Sequence, residues 1–411
     1  MYNRGLHASD EDMQWWRDAK LGMFIHWGPV TLRETEIGWS RAGLRRGFEW
    51  TGDAAKVVPA EEYDNLYKQF NPTKFDAEEW VRNAKSVGAK YLIFTTKHHD
   101  GFCMFDSKLT DYKITNSPID RDLLAELADA CHKNDFKLGL YYSAPDWHHP
   151  DFFTENHGRF LEYFKGQLQE LCTNYGKISN IWFDCGESLY PYDAANTIKM
   201  VRKLQPGVII NNRLGLPADH DTPEQVIGTF NNERAWESCM TIGDQWSWRK
   251  NENLKPSKVC IQSLVSCAVG DGNLLFGIGP GPTGEMEPAH LDRYREVGDW
   301  LGKYGESIYG TRGGPFLLDK LGGSTFKDNR IYLHIFDWPD AVIKLPAIPG
   351  QITECAFFNG EKIDFKQTDE GIEIPFPETK RNPIDTVITM TLDGPASTIE
   401  PMIVVDVDPC L

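Results

Sequence analysis

Between residues 15 and 310, six short runs are apolar at almost every position, and longer amphipathic stretches separate them: 22–27, 91–96, 137–142, 181–183, 208–211 and 273–278. A strand with one wet face alternates polar and apolar residues. Continuously apolar strands must therefore be covered on both faces, as in a parallel sheet wrapped by helices. The gaps carry helical periodicity. In 122–130, Leu123, Leu124, Leu127 and Ala130 fall on one face, and 291–301 behaves likewise. Repeated β-α units of this kind specify an α/β fold. Two more strands are expected around Phe230 and over 236–240, and eight would close a (β/α)8 barrel, the TIM-barrel architecture, here in irregular form. A doubly wound sheet would need a Gly-rich phosphate turn after its first strand, and Gly28-Pro29-Val30 is not one.

The pattern changes at Gly310-Thr311-Arg312-Gly313-Gly314-Pro315. Beyond it, runs at 331–336, 341–345, 355–358 and 385–392 are separated by Gly, Pro and Asn turns, which reads as an antiparallel β-sandwich. A chain of 411 residues also exceeds what one core usually supports. We expect a barrel over 1–312 and a C-terminal sandwich over 313–411.

A net charge of -17 opposes nucleic-acid binding, which needs clustered Lys and Arg to displace counterions. The nine Cys residues are odd in number and include no CxxC pair, so reduced, mostly buried thiols are expected. No apolar leader begins the chain and no run of about twenty apolar residues occurs, so neither a membrane span nor a signal peptide is read. The expectation is a cytoplasmic protein, although a secreted or periplasmic chain trimmed of its leader would read the same.

Residues at the carboxyl ends of parallel barrel strands face the substrate mouth. Here those ends carry His26-Trp27, then Lys97-His98-His99-Asp100-Gly101-Phe102, then Tyr141-Tyr142-Ser143 with Asp146-Trp147, then Asp184, then Asn211-Asn212-Arg213. Asp184 is a lone carboxylate closing an apolar strand, with Gly186 two residues on. It could merely cap a helix or complete an ion pair, but five successive polar or aromatic strand ends converge on one mouth. Trp, Tyr, His and Arg are the side chains that stack on sugar rings and bind their hydroxyls. His98-His99-Asp100 and His148-His149-Pro150-Asp151 contain metal-ligand types, yet adjacent residues on an extended segment point apart. Neither an HxH pair nor an HExxH helix is present. No metal or other cofactor is expected, and the imidazoles are read as neutral partners of hydroxyls.

Hydrolysing a glycosidic bond with retention takes two carboxyls about 5 to 5.5 Å apart, one attacking the anomeric carbon and one protonating the departing oxygen. Asp184 supplies the first. Glu187, Asp221, Glu224 and Glu237 are candidates for the second. Glu187 follows Asp184 too closely to reach the opposite side of a ring. Glu224 lies on a loop able to fold over the mouth, and Glu237 beside Trp236 has an apolar setting that would raise its pKa. Glu224 is preferred, with Glu237 the alternative.

These motifs resemble the α-L-fucosidases, glycoside hydrolase family 29. The resemblance runs from Trp15 to Pro315 through Ala19-Lys20-Leu21-Gly22-Met23-Phe24-Ile25-His26-Trp27-Gly28, Thr95-Thr96-Lys97-His98-His99-Asp100-Gly101-Phe102, Gly139-Leu140-Tyr141-Tyr142-Ser143, Trp182-Phe183-Asp184, Asn212-Arg213, Trp236-Glu237-Ser238-Cys239-Met240-Thr241-Ile242-Gly243 and Gly272-Asn273-Leu274-Leu275-Phe276-Gly277-Ile278-Gly279-Pro280. It implies a distorted barrel and a retaining double displacement without metal. Asp184 would be the nucleophile, with His26, His98, His99, Tyr141 and Arg213 around the deoxy sugar and Trp39 and Trp246 as aromatic walls. Glu224 matches the general acid position in part of the family. Such fucosidases commonly show a Glu-Trp pair after the first strand, where this chain has Gly38-Trp39, so the sugar loses a charged partner unless Glu34 or Glu36 reaches in. The usual aromatic motif is altered to Trp246-Ser247-Trp248.

The expected activity is that of an exo-acting retaining α-L-fucosidase releasing terminal fucose from oligosaccharides or glycoconjugates. The alternatives are a retaining galactosidase on the same scaffold, a catalytically weak carbohydrate-binding protein and a metal-dependent hydrolase.

Overall fold

A computed structural model describes residues 5–43, 45–47, 57–186 and 191–404; Glu187 lies outside the described residues. Among these, seven parallel strands form one curled sheet: β1 (Leu21–Ile25), β2 (Tyr91–Lys97), β3 (Lys137–Ser143), β4 (Asn180–Asp184), β5 (Ile209–Ile210), β6 (Glu237–Thr241) and β7 (Asn273–Ile278). Their order is β5-β4-β3-β2-β1-β7-β6, so β2 is central and β5 and β6 are the two edges. The runs read from sequence all become strands, within a few residues at their ends, and β1, β2, β4, β5, β6 and β7 are buried along their whole length.

Strand alternation sorts these apolar residues into two layers. Phe24, Tyr91, Tyr141, Trp182, Cys239 and Leu275 pack against one another inside the curl. Met23, Ile25, Leu92, Phe94, Leu140 and Phe183 join the larger core beneath the helices. Tyr141 and Tyr142 show the division within one dipeptide: the Tyr141 hydroxyl donates to Asp184 at 2.7 Å, and that of Tyr142 donates outward to Gln167 at 2.6 Å. Helices cover the outer layer, at Ala77–Ser86, Leu123–Lys133, His157–Asn174, Ala194–Leu204, Ser257–Val269 and Pro288–Tyr304, whereas the helix Asp10–Ala19 packs Met13, Trp16 and Ala19 against the inner layer. Three begin at a side-chain cap, with Ser9, Asp76 and Asp122 each accepting from a backbone N–H three residues on.

The eighth strand expected near Phe230 does not form; residues 227–230 are irregular. The gap between β5 and β6 is instead spanned by residues 219–225. The N–H of Asp219 donates to Ile210 O (2.9 Å) and that of Asn212 to His220 O (3.0 Å), while on the other side Glu237 N–H donates to Asp221 O and Cys239 N–H to Pro223 O, both at 2.9 Å. Isolated parallel bridges join Asn211 to His220, Asp221 to Trp236 and Glu224 to Cys239. This segment is a stave in all but regularity. Pro223 has no N–H to give a ladder, and Asp219 and Asp221 disfavour strand, so a β-pattern was not there to be read.

Beyond the barrel, β8 (Arg312–Leu317), β9 (Gly322–Lys327), β10 (Arg330–Ile335), β11 (Val342–Leu345), β12 (Ile352–Phe357), β13 (Lys366–Thr368), β14 (Gly371–Pro375), β15 (Thr386–Leu392) and β16 (Met402–Ile403) form two sheets. One is ordered β12-β15-β10-β9-β8-β16 and the other β11-β14-β13. All pairs are antiparallel except β16 with β8. They share a core of their own that includes Phe316, Ile331, Leu333, Ile343, Ile374 and Met390. The eight described cysteines are free thiols, all buried but the half-buried Cys185. Among the described residues, no helix is long and apolar enough to cross a membrane.

Candidate active site

Asp184 is the last residue of β4, and the two residues after it give the chain a sharp turn. Cys185 takes a left-handed φ of 53°, a backbone state that costs a non-glycine residue free energy and tends to gather at functional sites. Gly186 then donates its N–H to Arg213 O at 2.8 Å, and a Cβ on it would fall 2.6 Å from that same oxygen. Glycine here lets the β4 and β5 strand ends approach each other. Asn211 completes the join: its side-chain amide both donates to Phe183 O (2.8 Å) and accepts from Phe183 N–H (3.0 Å), acting as a ladder partner where β5 has stopped.

The carboxylate of Asp184 is gripped at both oxygens. Tyr141 OH donates to Oδ2 at 2.7 Å, Arg213 Nη1 donates to Oδ1 at 2.7 Å, and His99 Nε2 lies 3.6 Å from Oδ2. Burial is the largest single influence and pushes this carboxyl up, but Arg213, His99 and the Tyr141 hydrogen bond together outweigh it. The net result lies below the usual carboxylate value, so the group is ionised. Arg213 is itself fixed: Nε donates to Thr222 Oγ1 (2.8 Å), Nη2 to Thr222 O (3.1 Å), and the guanidinium lies 4.6 Å from the Trp182 ring centre. Its Nη2 also pairs with Glu224 Oε2 at 2.7 Å. One guanidinium thus holds two carboxylates, a buried one at the end of β4 and one on the irregular stave whose side chain is 41% exposed.

Three imidazoles complete the mouth. His26, His98 and His99 follow β1 and β2 and are all buried. Burial depresses each, to about 3 for His26, to about 4 for His99 and well below the ordinary value for His98, with Asp184 opposing the effect at His26 and His99. They are neutral across the physiological range. The Nδ1 atoms of His26 and His98 are buried and have no hydrogen-bond partner in the protein. The rings interlock: His98 stacks on Tyr141 at 4° and 5.2 Å, and His26 lies 4.9 Å from Trp246. Trp39 sits edge-on to His99 and to Trp147, both at 5.1 Å. The sequence-derived set of His26, Trp39, His98, His99, Tyr141, Asp184, Arg213, Glu224 and Trp246 therefore converges.

Three readings need correction. Adjacent His98 and His99 do not point apart, because the chain leaves β2 after Lys97 and turns, Gly101 N–H closing on His98 O at 3.0 Å. Their rings lie 4.1 Å apart, and His98, His99 and Asp184 each bring a ligand-type atom within 4.8 Å of the others. Both Asp184 oxygens are already engaged, one by the Arg213 cation, so positive charge is supplied at that carboxylate without a metal.

The second correction concerns Glu237. It opens β6, at the amino end of a parallel sheet whose carboxyl ends carry the mouth, and it is 0% exposed. It accepts from Tyr91 OH and, at 3.3 Å, from Trp182 Nε1. A carboxyl below the barrel interior has no path to a glycosidic oxygen. Asp221, also considered, is paired with Arg234 at 2.9 Å.

The third is the loop at Gly38. Its φ is 66° and a Cβ would lie 2.4 Å from His98 Nδ1, so no side chain fits in this loop conformation. Glu36 is spent on the neighbouring loop, accepting from the N–H of Trp246 (2.9 Å) and Ile37 (3.1 Å), and burial pushes it up to about 7. It was missed as the tie that holds Trp246, and Glu34 reaches only the N–H of Lys250, at 3.3 Å.

The burial of Glu237 has a measurable consequence. Burial raises this carboxyl to about 7, with the Tyr91 and Trp182 hydrogen bonds opposing. The unfolded chain gives up the same proton near an ordinary value of about 4.3. Between these values the folded protein holds the extra proton, so stability falls as pH rises through that window. The Tm advantage of Glu237→Gln over the parent should therefore grow between pH 5 and pH 8 in thermal melts. A pH-independent difference would show that Glu237 does not titrate there.

Comparison with known proteins agrees with this geometry. A family model described as α-L-fucosidase matches residues 3–306. The tissue α-L-fucosidase of Homo sapiens is 27% identical over 92% of this chain and 88% of its own length. Among solved structures, α-L-fucosidase isoenzyme 1 from Paenibacillus thiaminolyticus superposes with a TM-score of 0.84 at 33% identity, covering 93% of this chain and 99% of that one. A trapped covalent intermediate of a Bacteroides thetaiotaomicron α-L-fucosidase, in complex with 2-fluoro-fucosyl fluoride, gives 0.83 at 30% identity, covering 94% and 97%.

Proposed function

Since the chain belongs to the α-L-fucosidase family of retaining glycoside hydrolases, we propose that Asp184 is its nucleophile and Glu224 its general acid and base. The observation that carries this reading is the shared Arg213 guanidinium, which contacts Asp184 and Glu224 at 2.7 Å each. One carboxylate is rigid, ionised and buried; the other is at the rim and free to swing.

In the first step the sugar draws Glu224 off Arg213, and the carboxylate, parted from that cation, takes up a proton from water at the rim. Asp184 attacks the anomeric carbon, the bond to the aglycone oxygen breaks, and Glu224 passes its proton to that oxygen. The carboxylate of Glu224 then takes a proton from water as that water attacks the same carbon, releasing fucose and restoring Asp184. Arg213 and Tyr141 hold Asp184 oriented in both steps. His26 and His98 offer ring nitrogens to hydroxyls, and Trp39 and Trp246 wall the ring. The substrate class is a terminal α-L-fucosyl unit on an oligosaccharide or glycoconjugate.

Turnover of nitrophenyl α-L-fucoside against α-L-galactoside, which adds one hydroxyl at C6, tests the sugar assignment. Pockets fitted to an apolar group discriminate against an added hydroxyl by about 100-fold, so the fucoside should lead by about that factor in kcat/KM. Equal or faster turnover of the galactoside would move the assignment to a galactosidase.

A further inference from the structure

Glu237 is left without a role in this chemistry, yet it sits directly beneath it. A fully buried carboxyl is costly, and an apolar residue of similar volume is often neutral or better for stability. What surrounds Glu237 connects it upward. Trp182 Nε1 donates to its Oε1 at 3.3 Å, and Tyr91 OH donates to its Oε2. Trp182 stands two residues before Asp184 on β4, so alternation turns both toward the barrel interior. Against the Trp182 indole lie the two groups that grip Asp184: the Tyr141 ring, stacked at 18° and 5.6 Å, and the Arg213 guanidinium, at 4.6 Å.

We propose that Glu237 is a positioning residue, anchoring the Trp182 indole so that Tyr141 and Arg213 stay braced against it and hold the Asp184 carboxylate in line. This rests on Asp184 being the nucleophile. Stacking alone leaves an indole free to slide and turn in its plane, whereas a hydrogen bond from Nε1 to a fixed acceptor removes that freedom. Tyr91 OH fixes the acceptor in turn, and the Tyr91 ring is seated on Gly22 of β1, where a Cβ would fall 2.4 Å from it. His220 also faces the group, its Nε2 3.9 Å from Oε1, and Trp16 packs edge-on to His220 at 4.6 Å.

The test uses the full chain with Glu237→Leu, Glu237→Gln, Trp182→Phe and the Glu237→Leu/Trp182→Phe double variant, each first checked for a cooperative thermal melt. Misplacing a reacting group by an ångström costs about 100-fold, so Glu237→Leu should lower kcat on nitrophenyl fucoside by about 10- to 100-fold with KM nearly unchanged. Its acid limb in kcat/KM should move to higher pH as the grip on Asp184 loosens. Glu237→Gln keeps an acceptor for the indole and should recover most of the activity. Trp182→Phe cuts the same link from the other side, so the double variant should be little worse than either single one.

Additive losses in the double variant, or Glu237→Leu with parental kcat and acid limb, would overturn the proposal. If Glu237→Leu fails to fold, Trp182→Phe and Glu237→Gln still decide it: parental kcat and acid limb in Trp182→Phe would count against the link. Azide rescue of Glu237→Gln giving α-fucosyl azide would make Glu237 the proton donor and sink the Glu224 assignment as well. Unimpaired Glu224→Ala alongside a coupled Glu237 and Trp182 would sink the Glu224 assignment alone.

Discussion

Asp184→Gly should lose on the order of 10⁴-fold or more in kcat, the scale seen when a covalent nucleophile is removed, and millimolar to molar azide should restore part of it. The size follows from what Asp184 supplies. Both of its oxygens are held at 2.7 Å by fixed donors, so the attacking group is oriented before substrate arrives, and orientation of this kind is worth several powers of ten. Truncation to glycine leaves a cavity at the anomeric carbon, lined by Tyr141 and Arg213, where a small anion can enter. Azide attacking the intact substrate from that side inverts the centre, so the product should be β-fucosyl azide, read directly by NMR. In the parent enzyme the low-lying Asp184 carboxyl should set the acid limb of kcat/KM below the ordinary aspartate value of about 3.9. The sign is that activity persists as pH falls and is lost only when this carboxylate takes a proton. A variant with near-parental turnover, or rescue yielding only the α-azide, would place the nucleophile elsewhere.

What the sequence carried, and what it hid, divides along the difference between local pattern and seam. The runs around Phe24, Ile93, Leu140 and Leu275 needed no partner to be read, because burial on both faces makes a strand apolar wherever it sits. Asp184, His26, His98 and Arg213 could be placed at one mouth from strand ends alone, since parallel strands all end on the same side. The stave over 219–225 escaped because its hydrogen bonds are supplied by its neighbours and not by any preference of its own residues. Glu237 was misread for a different reason: a strand over 236–240 already puts it at the amino end, away from the mouth, and its apolar setting beside Trp236 argued for a raised pKa without regard to that place. With β6 opening at Glu237, the group is below; had the strand ended there, it would have been at the mouth. Trp182 was legible in principle, since a residue two before a mouth-facing aspartate shares its face, yet a tryptophan in an apolar strand reads first as core. Glu36 had no such signal as the tie to Trp246, because that partner is a backbone N–H on a loop 210 residues away.

The acid and base should reveal itself by the aglycone. Glu224→Ala should lose about 10²- to 10⁴-fold on a fucosyl disaccharide, the usual scale for removing a general acid, but far less in the first step on a nitrophenyl fucoside, whose phenolate departs without a proton. The second step still needs a base for both substrates. With the activated substrate the covalent fucosyl intermediate on Asp184 should therefore form quickly and persist, giving a burst of nitrophenol equal to the enzyme present and then slow turnover. Azide needs no base, so it should accelerate that second phase. Because it attacks an intermediate already inverted once, the product should be α-fucosyl azide, the opposite anomer to that expected from Asp184→Gly. Removing Glu224 also takes one of the two carboxylates from Arg213 and leaves the guanidinium wholly to Asp184, so the attack that builds the intermediate should not be impaired. A loss of equal size on both aglycones, with no burst and no azide product, would assign Glu224 to the rim as a partner of Arg213 and nothing more.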